Sequence, residues 1–520
     1  MQLAKLEFSS QQLTSALSSI GVDLALLSAQ SLATRNISLD SRSANVQTGF
    51  VALKGEVVNG HHYIGDALER GCKLILCEQV PDAATHLLAR KQHAKIVVVD
   101  ELKMRLPCLL QHLYMTQECS GITAVTGTNG KTSVASLYAQ LALAFTANSA
   151  SLGTLGLNIF SSDHTRTDVQ HFDVGVNTTP DIILHYKILR MLNNRGIEPY
   201  CLEASSHGIF QQRLAGLPIQ TAIFTNLTQD HLDYHGSMTE YGAAKRGLLR
   251  FASLKHLVLN ADDAESQRWQ ATASDLVNIV WYGLSFEHIP KTASLYCIAK
   301  DLRFNHRGIA FRLISSWGDA QLQLPLLGAF NVANLLAALS AHLVQGQSFD
   351  ALVTQTSSVF GVAGRMELFT CNAGRANIIV DYAHTPDALK QALIAARQHT
   401  AGKLYCVFGC GGDRDKSKRA IMGQVASECS DMVVLTQDNS RTESPENIIR
   451  DIQAGMLKNA KVHIELERPE AVKWAWQRSR PDDLILLAGK GHEDYLEINH
   501  QRLPYDERAF VQRLCAEAVA

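Results

Sequence analysis

No C-x-x-C pair occurs among the 11 cysteines, which are scattered along 520 residues. That excludes the common zinc-ribbon and dithiol redox spacings. An excess of one charge is missing too: 48 Lys and Arg stand against 50 Asp and Glu. No net positive field marks the chain for nucleic acid or for an anionic membrane surface. No apolar run reaches the ~20 residues that span a bilayer. The first 13 residues carry charges and glutamines where a signal peptide would be apolar. Free thiols and no export signal point to the cytoplasm. The expectation is a monomer with no nucleic-acid partner and no membrane insertion.

What is present describes a globular chain of α/β class. Hydrophobic residues make up 46% and charged residues 19%, enough to bury sizeable cores, and the length suggests three or so domains. Residues 1–118 read as a small N-terminal α/β domain, with strand-like runs at 49–53, 74–77 and 96–99. Residues 119–350 alternate β-rich runs (121–126, 200–202, 221–224, 257–259) with apolar-periodic helical stretches such as 132–145. Residues 351–520 repeat the alternation, with strands at 378–380, 404–408, 432–435 and 484–487 and helices opening at Asp387, Lys416 and Arg508. Such alternation predicts mostly parallel sheets covered by helices. The last region is Rossmann-like in pattern, and the central one is an α/β domain whose first strand-to-helix turn makes it a candidate phosphate-loop mononucleotide-binding domain.

Between the run 121–126 and the helical stretch lies Gly127-Thr128-Asn129-Gly130-Lys131-Thr132-Ser133. A glycine-containing turn from strand into helix lets backbone N–H groups approach phosphates, and the helix N-terminus adds its positive end. Lys131 would meet the β and γ phosphates of ATP, and Thr132 would put its hydroxyl on Mg²⁺. A glycine-rich turn with an incidental Lys-Thr is the bland reading; the agreement of strand, glycines and helix weighs against it. The common phosphate loop has a glycine five residues before its second one. Here that position is Val125, so the loop is a shortened G-x-x-G-K-T form.

Further blocks follow in order: Thr178-Thr-Pro180, Glu203-Ala-Ser-Ser-His-Gly208, Thr225-Asn-Leu-Thr-Gln-Asp-His-Leu-Asp233, Gly328-Ala-Phe-Asn-Val-Ala-Asn334 and Gly364-Arg-Met-Glu367. Then come Asp381-Tyr-Ala-His-Thr-Pro386, Gly409-Cys-Gly-Gly-Asp-Arg-Asp-Lys416 and Gly489-Lys-Gly-His-Glu-Asp494. With the phosphate loop they resemble the Mur ligases over essentially the whole chain, above all the branch that adds the third amino acid of the peptidoglycan precursor. The resemblance implies an ATP-dependent amide ligase. The γ-phosphate passes to a substrate carboxylate, the incoming amine attacks the acyl phosphate, and phosphate leaves. Its partners would be small molecules, namely ATP, UDP-MurNAc-L-Ala-D-Glu and meso-diaminopimelate, with Mg²⁺ as cofactor. Two anions must approach each other, so positioning and charge neutralisation are the main requirements.

The resemblance also implies roles. Glu203 and Thr132 would hold the Mg²⁺ bridging the phosphates, and His231 would contribute to a second magnesium site. Lys245, on an ordinary helix a solvated charge, falls where these ligases carry a carbamoylated lysine (N6-carboxylysine). The CO₂ adduct turns an ammonium into an anionic oxygen ligand. Asn334 would contact adenine with Asn331 in support, and Arg365, Asp381 and His384 would meet the nucleotide. Helix capping is the alternative for the two asparagines, and interdomain salt bridges for the other three. Leu39 and Ser41 would contact the UDP moiety. Asn177, Thr178, Thr179, Ser205, Gln211 and Arg213 would grip the muramoyl dipeptide, Arg213 because its fork binds two oxygens at once. Glu56-Val-Val58 matches a contact loop only loosely.

The segment Asp438-Asn439-Ser440-Arg441 bears on the amino acid. Diaminopimelate-adding members usually carry Asp-Asn-Pro-Arg here, and lysine-adding ones lack the arginine. Diaminopimelate differs from lysine by a second carboxylate, so Arg441 and Arg414 would supply matching charge. Asp438, Asn439 and Glu493 would read ammonium groups, and Gly489 would leave room for backbone approach. Ser440 stands where proline is usual, which frees φ and adds a backbone donor. Three alternatives stay open on sequence: the same ligase using L-lysine, a folylpolyglutamate synthetase-like ligase, and a phosphate-loop nucleotide switch that makes no amide.

Overall fold

Short runs of β-branched and aliphatic residues become buried parallel strands throughout the chain. The computed structural model describes residues 6–55, 58–115, 121–162, 167–175, 177–198, 200–305, 308–371 and 374–517; Glu56, Val57 and Cys119 lie outside them. The chain divides into two units, one of residues 1–131, 145–258 and 263–279, the other of 132–144, 259–262 and 280–520.

In the first unit, Asn36–Ser38, Thr48–Ala52, Leu74–Cys77 and Lys95–Val98 form a parallel sheet in chain order. A second sheet runs Ile219–Phe224, Ile122–Thr126, Tyr200–Glu203, Asn148–Gly153, Gly156–Ser162, Thr167–Phe172. Its first four strands are parallel; the last two return as antiparallel hairpins that no strand signal in 146–172 had announced. Ile122–Thr126 is buried at every position, as a strand covered on both faces must be. Thr126, Glu203, Phe224 and Gly153 end their strands on one edge, the carboxyl edge where open α/β sheets bind ligands. The helix Met238–Arg246 opens on Ser237, whose hydroxyl accepts from the Glu240 N–H. Tyr241 and Lys245, one turn apart, share its buried face.

In the second unit the helix expected at 132–145 is Lys131–Ala142 from its second residue onward. Tyr296–Asn305, Gly308–Ser315 and Gly318–Leu324 form an antiparallel meander, also unforeseen. A six-stranded sheet has the order Glu367–Phe369, Asn377–Asp381, Leu484–Ala488, Leu404–Phe408, Met432–Leu435, Val462–Ile464. All its pairs are parallel except the first. Alternate strand residues feed two cores. Ile379, Leu486 and Cys406 face one, and Ile378, Ile485, Val407 and Val434 the other. Arg468 and Glu507 pair with no exposure, and Arg468 donates to the carbonyls of Ala488 and Gln437. That buried guanidinium ties the end of the strand Leu484–Ala488 to the loop that follows Met432–Leu435.

Cys371 and Cys515, 144 residues apart, are joined by a disulfide, so the thiols are not all free as expected. Nothing in the spacing foretells it, because the strand end and the closing helix meet only in the folded sheet. No helix among the described residues is long and apolar enough to cross a membrane.

Candidate active site

At the carboxyl edge of the first unit's sheet, the loop after Thr126 is held by its neighbour. Asn226 accepts from Thr128 N–H through its carbonyl and from Asn129 N–H through its side-chain oxygen, both at 2.9 Å. Thr225 Oγ1 donates to Asn129 O. Gly127 and Gly130 have φ of 150° and 86°, and a Cβ on Gly127 would overlap the Thr225 hydroxyl, so glycine is required there. Lys131 Nζ donates to Gly127 O and Thr128 O at 2.9 and 2.7 Å.

Lys245 reaches the same carbonyl from the other side. Its Nζ donates to Gly127 O at 2.7 Å and stands 4.3 Å from the centre of the Tyr241 ring, with the residue 1% exposed. Burial, and next the charge of Lys131, push its amine well below the usual lysine range. The solvated-charge reading fails here. His231 lies in the αL conformation, its ring 3.3 Å from the Asp230 carboxylate and edge-on to His207.

Glu203 is 2% exposed, so it is no loose surface carboxylate. Its oxygens accept from Thr154 N–H and Oγ1 at 3.0 and 3.3 Å. A Cβ on Gly153 would overlap that carboxylate. Gly153→Ala should therefore displace Glu203 and lower kcat by about tenfold or more, with a thermal shift small beside that loss; unchanged kcat would sink this view of Gly153.

Around Glu203 the dipeptide-binding candidates form one network. Thr179 Oγ1 donates to Glu203 O and is 2.9 Å from Ser205 Oγ. Arg213 donates to Thr179 O at 2.7 Å and to Gln211 Oε1, and Thr154 Oγ1 reaches Thr178 Oγ1. Asn177 is exposed. Leu39 and Ser41 follow the strand Asn36–Ser38, Ser41 opening a short turn that the Asp40 carboxylate caps.

In the second unit, Asp381 ends its strand and accepts from the N–H groups of Met366 and Ala383 at 2.7 and 2.8 Å. Burial raises its carboxyl above the usual aspartate value. Arg365 stacks on the Tyr382 ring at 4.7 Å, and His384 is exposed beside the same tyrosine. Thr132 and Ser133 lie in the first turn of Lys131–Ala142. Asn331 and Asn334 sit inside the helix Ala329–Val344, where Asn331 Nδ2 donates to Leu327 O and Asn334 Nδ2 to Asn331 Oδ1. Neither caps a helix N-terminus.

The loops after Phe408, Leu435 and Ala488 meet at the carboxyl edge of the six-stranded sheet. Lys490, with no exposure, is their centre. Its Nζ is 2.7 Å from Glu493 Oε2, 3.1 Å from Asn439 Oδ1 and 3.6 Å from Asp438 Oδ1. Gly489, at φ 114°, passes so close to Asp438 that a Cβ would be 2.7 Å from its carboxylate. Arg441 also has positive φ, 52°. It is tied to Glu497 by an ion pair of 3.0 Å and to Gly412 O by a 2.8 Å hydrogen bond. Arg414 is exposed and, among the described residues, shares no partner with Arg441. The Ser440 hydroxyl is buried without a hydrogen-bond partner among the described residues.

Comparison with known proteins matches residues 125–342 to the Mur ligase middle domain and 364–491 to the Mur ligase glutamate ligase domain. A UDP-N-acetylmuramoyl-L-alanyl-D-glutamate–2,6-diaminopimelate ligase of Vibrio vulnificus (strain YJ016) is 37% identical over 484 residues, 93% of this chain and 94% of that protein. The chain belongs to the Mur ligase family. A solved structure of a ligase of the same description is 34% identical with a TM-score of 0.67, covering 93% of this chain and 95% of that one. A folylpolyglutamate synthase of Mycobacterium tuberculosis, at 16% identity and a TM-score of 0.55 over 75% of this chain and 92% of its own, shares the fold alone.

This Mur ligase thus buries two lysines in different surroundings. Lys245 could be nominated from the resemblance. Lys490 was not, although it lies within the quoted Gly489-to-Asp494 segment; its signal is a lysine between two glycines at a strand end, too short to read alone.

Proposed function

We propose that this chain joins meso-2,6-diaminopimelate to UDP-MurNAc-L-Ala-D-Glu at the expense of ATP. The observation that carries the reading is its likeness, over nearly its full length, to a ligase of that description, with Arg441 retained in the loop that would meet the amino acid. The three functional regions are 1–118 for the UDP precursor, 119–350 for ATP and 351–520 for the amino acid.

The chemistry is supported by the two lysines on Gly127 O. Lys131 supplies fixed positive charge beside the loop that would cradle the phosphates. Burial lowers the pKa of the Lys245 amine and so favours its neutral form, and only a neutral amine adds CO₂. Its carbamate would present anionic oxygens, which a hard divalent cation prefers. With the Glu203 carboxylate this gives oxygen donors suited to Mg²⁺; the resemblance assigns the Thr132 hydroxyl to Mg²⁺ as well and His231 to a second ion. A bound Mg²⁺ would neutralise phosphate charge during transfer. The residues themselves orient. Glu203 is locked by Thr154, and Arg213 and Thr179 share one network with it, so the precursor's carboxylate would be offered at a defined place. Arg365, Asp381, His384, Asn331 and Asn334 are assigned to the nucleotide.

Incubation with ATP, Mg²⁺ and UDP-MurNAc-L-Ala-D-Glu, supplying diaminopimelate or L-lysine in parallel, tests the reading by the mass of the product. A tripeptide with diaminopimelate is expected. Product with lysine alone would keep the ligase and discard the amino acid; ADP and phosphate without any amide would discard both.

A further inference from the structure

Asp438, Asn439 and Glu493, the groups that sequence nominates to read ammonium, all face an internal ammonium, that of Lys490. The carboxylate beside Arg441 is a different one. Glu497 lies on the hairpin Tyr495–Ile498 and Gln501–Pro504, whose two turn residues, Asn499 and His500, both have positive φ, as a tight two-residue hairpin turn requires. The hairpin is fastened to the pocket loop by its main chain. Glu497 N–H donates to Asn439 Oδ1, Arg441 N–H to Glu497 O, and Asn499 N–H to Arg441 O, at 2.8–2.9 Å. The Glu497 side chain is therefore held in place beside Arg441.

We propose that Arg441 and Glu497 together read the zwitterionic far end of diaminopimelate, Arg441 taking its carboxylate and Glu497 its ammonium. The inference rests on the reading of the 438–441 loop as the amino-acid pocket. Arg441 Nε lies on Glu497 and Nη1 on Gly412 O, while Nη2 has no hydrogen bond to any described residue and remains a donor for an incoming oxygen. Both side chains are about a fifth to a quarter exposed, so a ligand can reach them. The pairing also shapes selectivity. Glu497 offsets the charge of Arg441, so a ligand bringing only a carboxylate meets a neutralised guanidinium and a nearby anion. A ligand bringing only an ammonium leaves Arg441 unused. A ligand bringing both satisfies both groups.

The test compares meso-diaminopimelate with 2-aminopimelate, which keeps the far carboxylate and lacks the far ammonium. Glu497→Gln preserves size and an acceptor for Arg441 and removes the charge. The wild-type preference for diaminopimelate over 2-aminopimelate, taken as a ratio of kcat/KM (or of Ki where the analogue is not turned over), should fall about tenfold in the variant. KM for ATP should stay within about twofold. An unchanged ratio, with both ligands weakened alike, would mean that Glu497 only holds Arg441, and would overturn the proposal. So would tighter binding of both. Glu497→Asp, which draws the carboxylate back by one methylene, should shift the ratio in the same direction and serves if the glutamine variant is unstable. If wild-type protein makes no diaminopimelate product, the reading of the pocket fails, and this inference with it.

Discussion

Lys245→Met should cost this ligase about 10³-fold or more in kcat and at the same time make the protein harder to unfold. The loss would follow from the carbamate proposed for Lys245: methionine cannot carry an anionic oxygen, so a cation on the phosphates would lack that ligand. The gain follows from burial. An amine with almost no exposure, next to a second ammonium, is held well below its usual pKa. Gly127 O keeps the Lys131 hydrogen bond when Lys245 is gone, so the substitution leaves no carbonyl stranded. Between the depressed folded value and the ordinary value of about 10.4 the unfolded chain binds more protons than the folded one. Wild-type stability attributable to Lys245 therefore rises with pH across that window. The advantage of methionine, ~1–3 kcal/mol, is full below the folded value and vanishes above the ordinary one. Thermal unfolding in bicarbonate-free buffer from neutral pH to pH 10 reads this directly. Bicarbonate should then stabilise wild type and leave the methionine variant unmoved; a variant equally responsive to bicarbonate would remove Lys245 from the account.

Lys490→Met is the second large effect, and its sign is opposite. Here a buried ammonium serves Glu493, Asn439 and Asp438 at once, and methionine leaves two carboxylates facing each other. Breaking a buried charge cluster by removing one partner destabilises by ~3–5 kcal/mol, visible as a lower midpoint in urea. Pocket geometry should go too, with KM for the amino acid rising more than about tenfold and KM for ATP changing little. Lys490→Arg should recover part of the stability. A loss of stability with the amino-acid KM unmoved would make Lys490 a structural lysine only.

Much of this was legible in the chain. Buried strands such as 404–408 and 432–435 are runs of apolar residues set between turn residues, and each predicted one is present within one or two residues. The loops that follow them carry the recognisable blocks because ligands bind at the carboxyl edge. The hairpins of 148–172 and the meander of 296–324 were not legible: their strands mix serine, threonine and charge with apolar residues, and pairing partners set their register. Pairings across long separations were invisible for the same reason. Lys490 meets Asn439 across 51 residues, Arg441 meets Glu497 on a hairpin that comes much later in the chain, and Cys371 finds Cys515. Spacing rules describe neighbours along the chain, and these contacts are neighbours only in the sheet.

The clasp on the phosphate loop has a bearing on how the protein is made. Thr128 and Asn129 are emitted from the ribosome about 97 residues before Asn226, which fixes their backbone. Until that later strand docks, the nascent chain possesses the motif without its shape. Nucleotide binding during synthesis should accordingly switch on late and all at once, as long-range closure does, and a chain arrested before residue 226 should be blind to ATP although every letter of the loop is already in place.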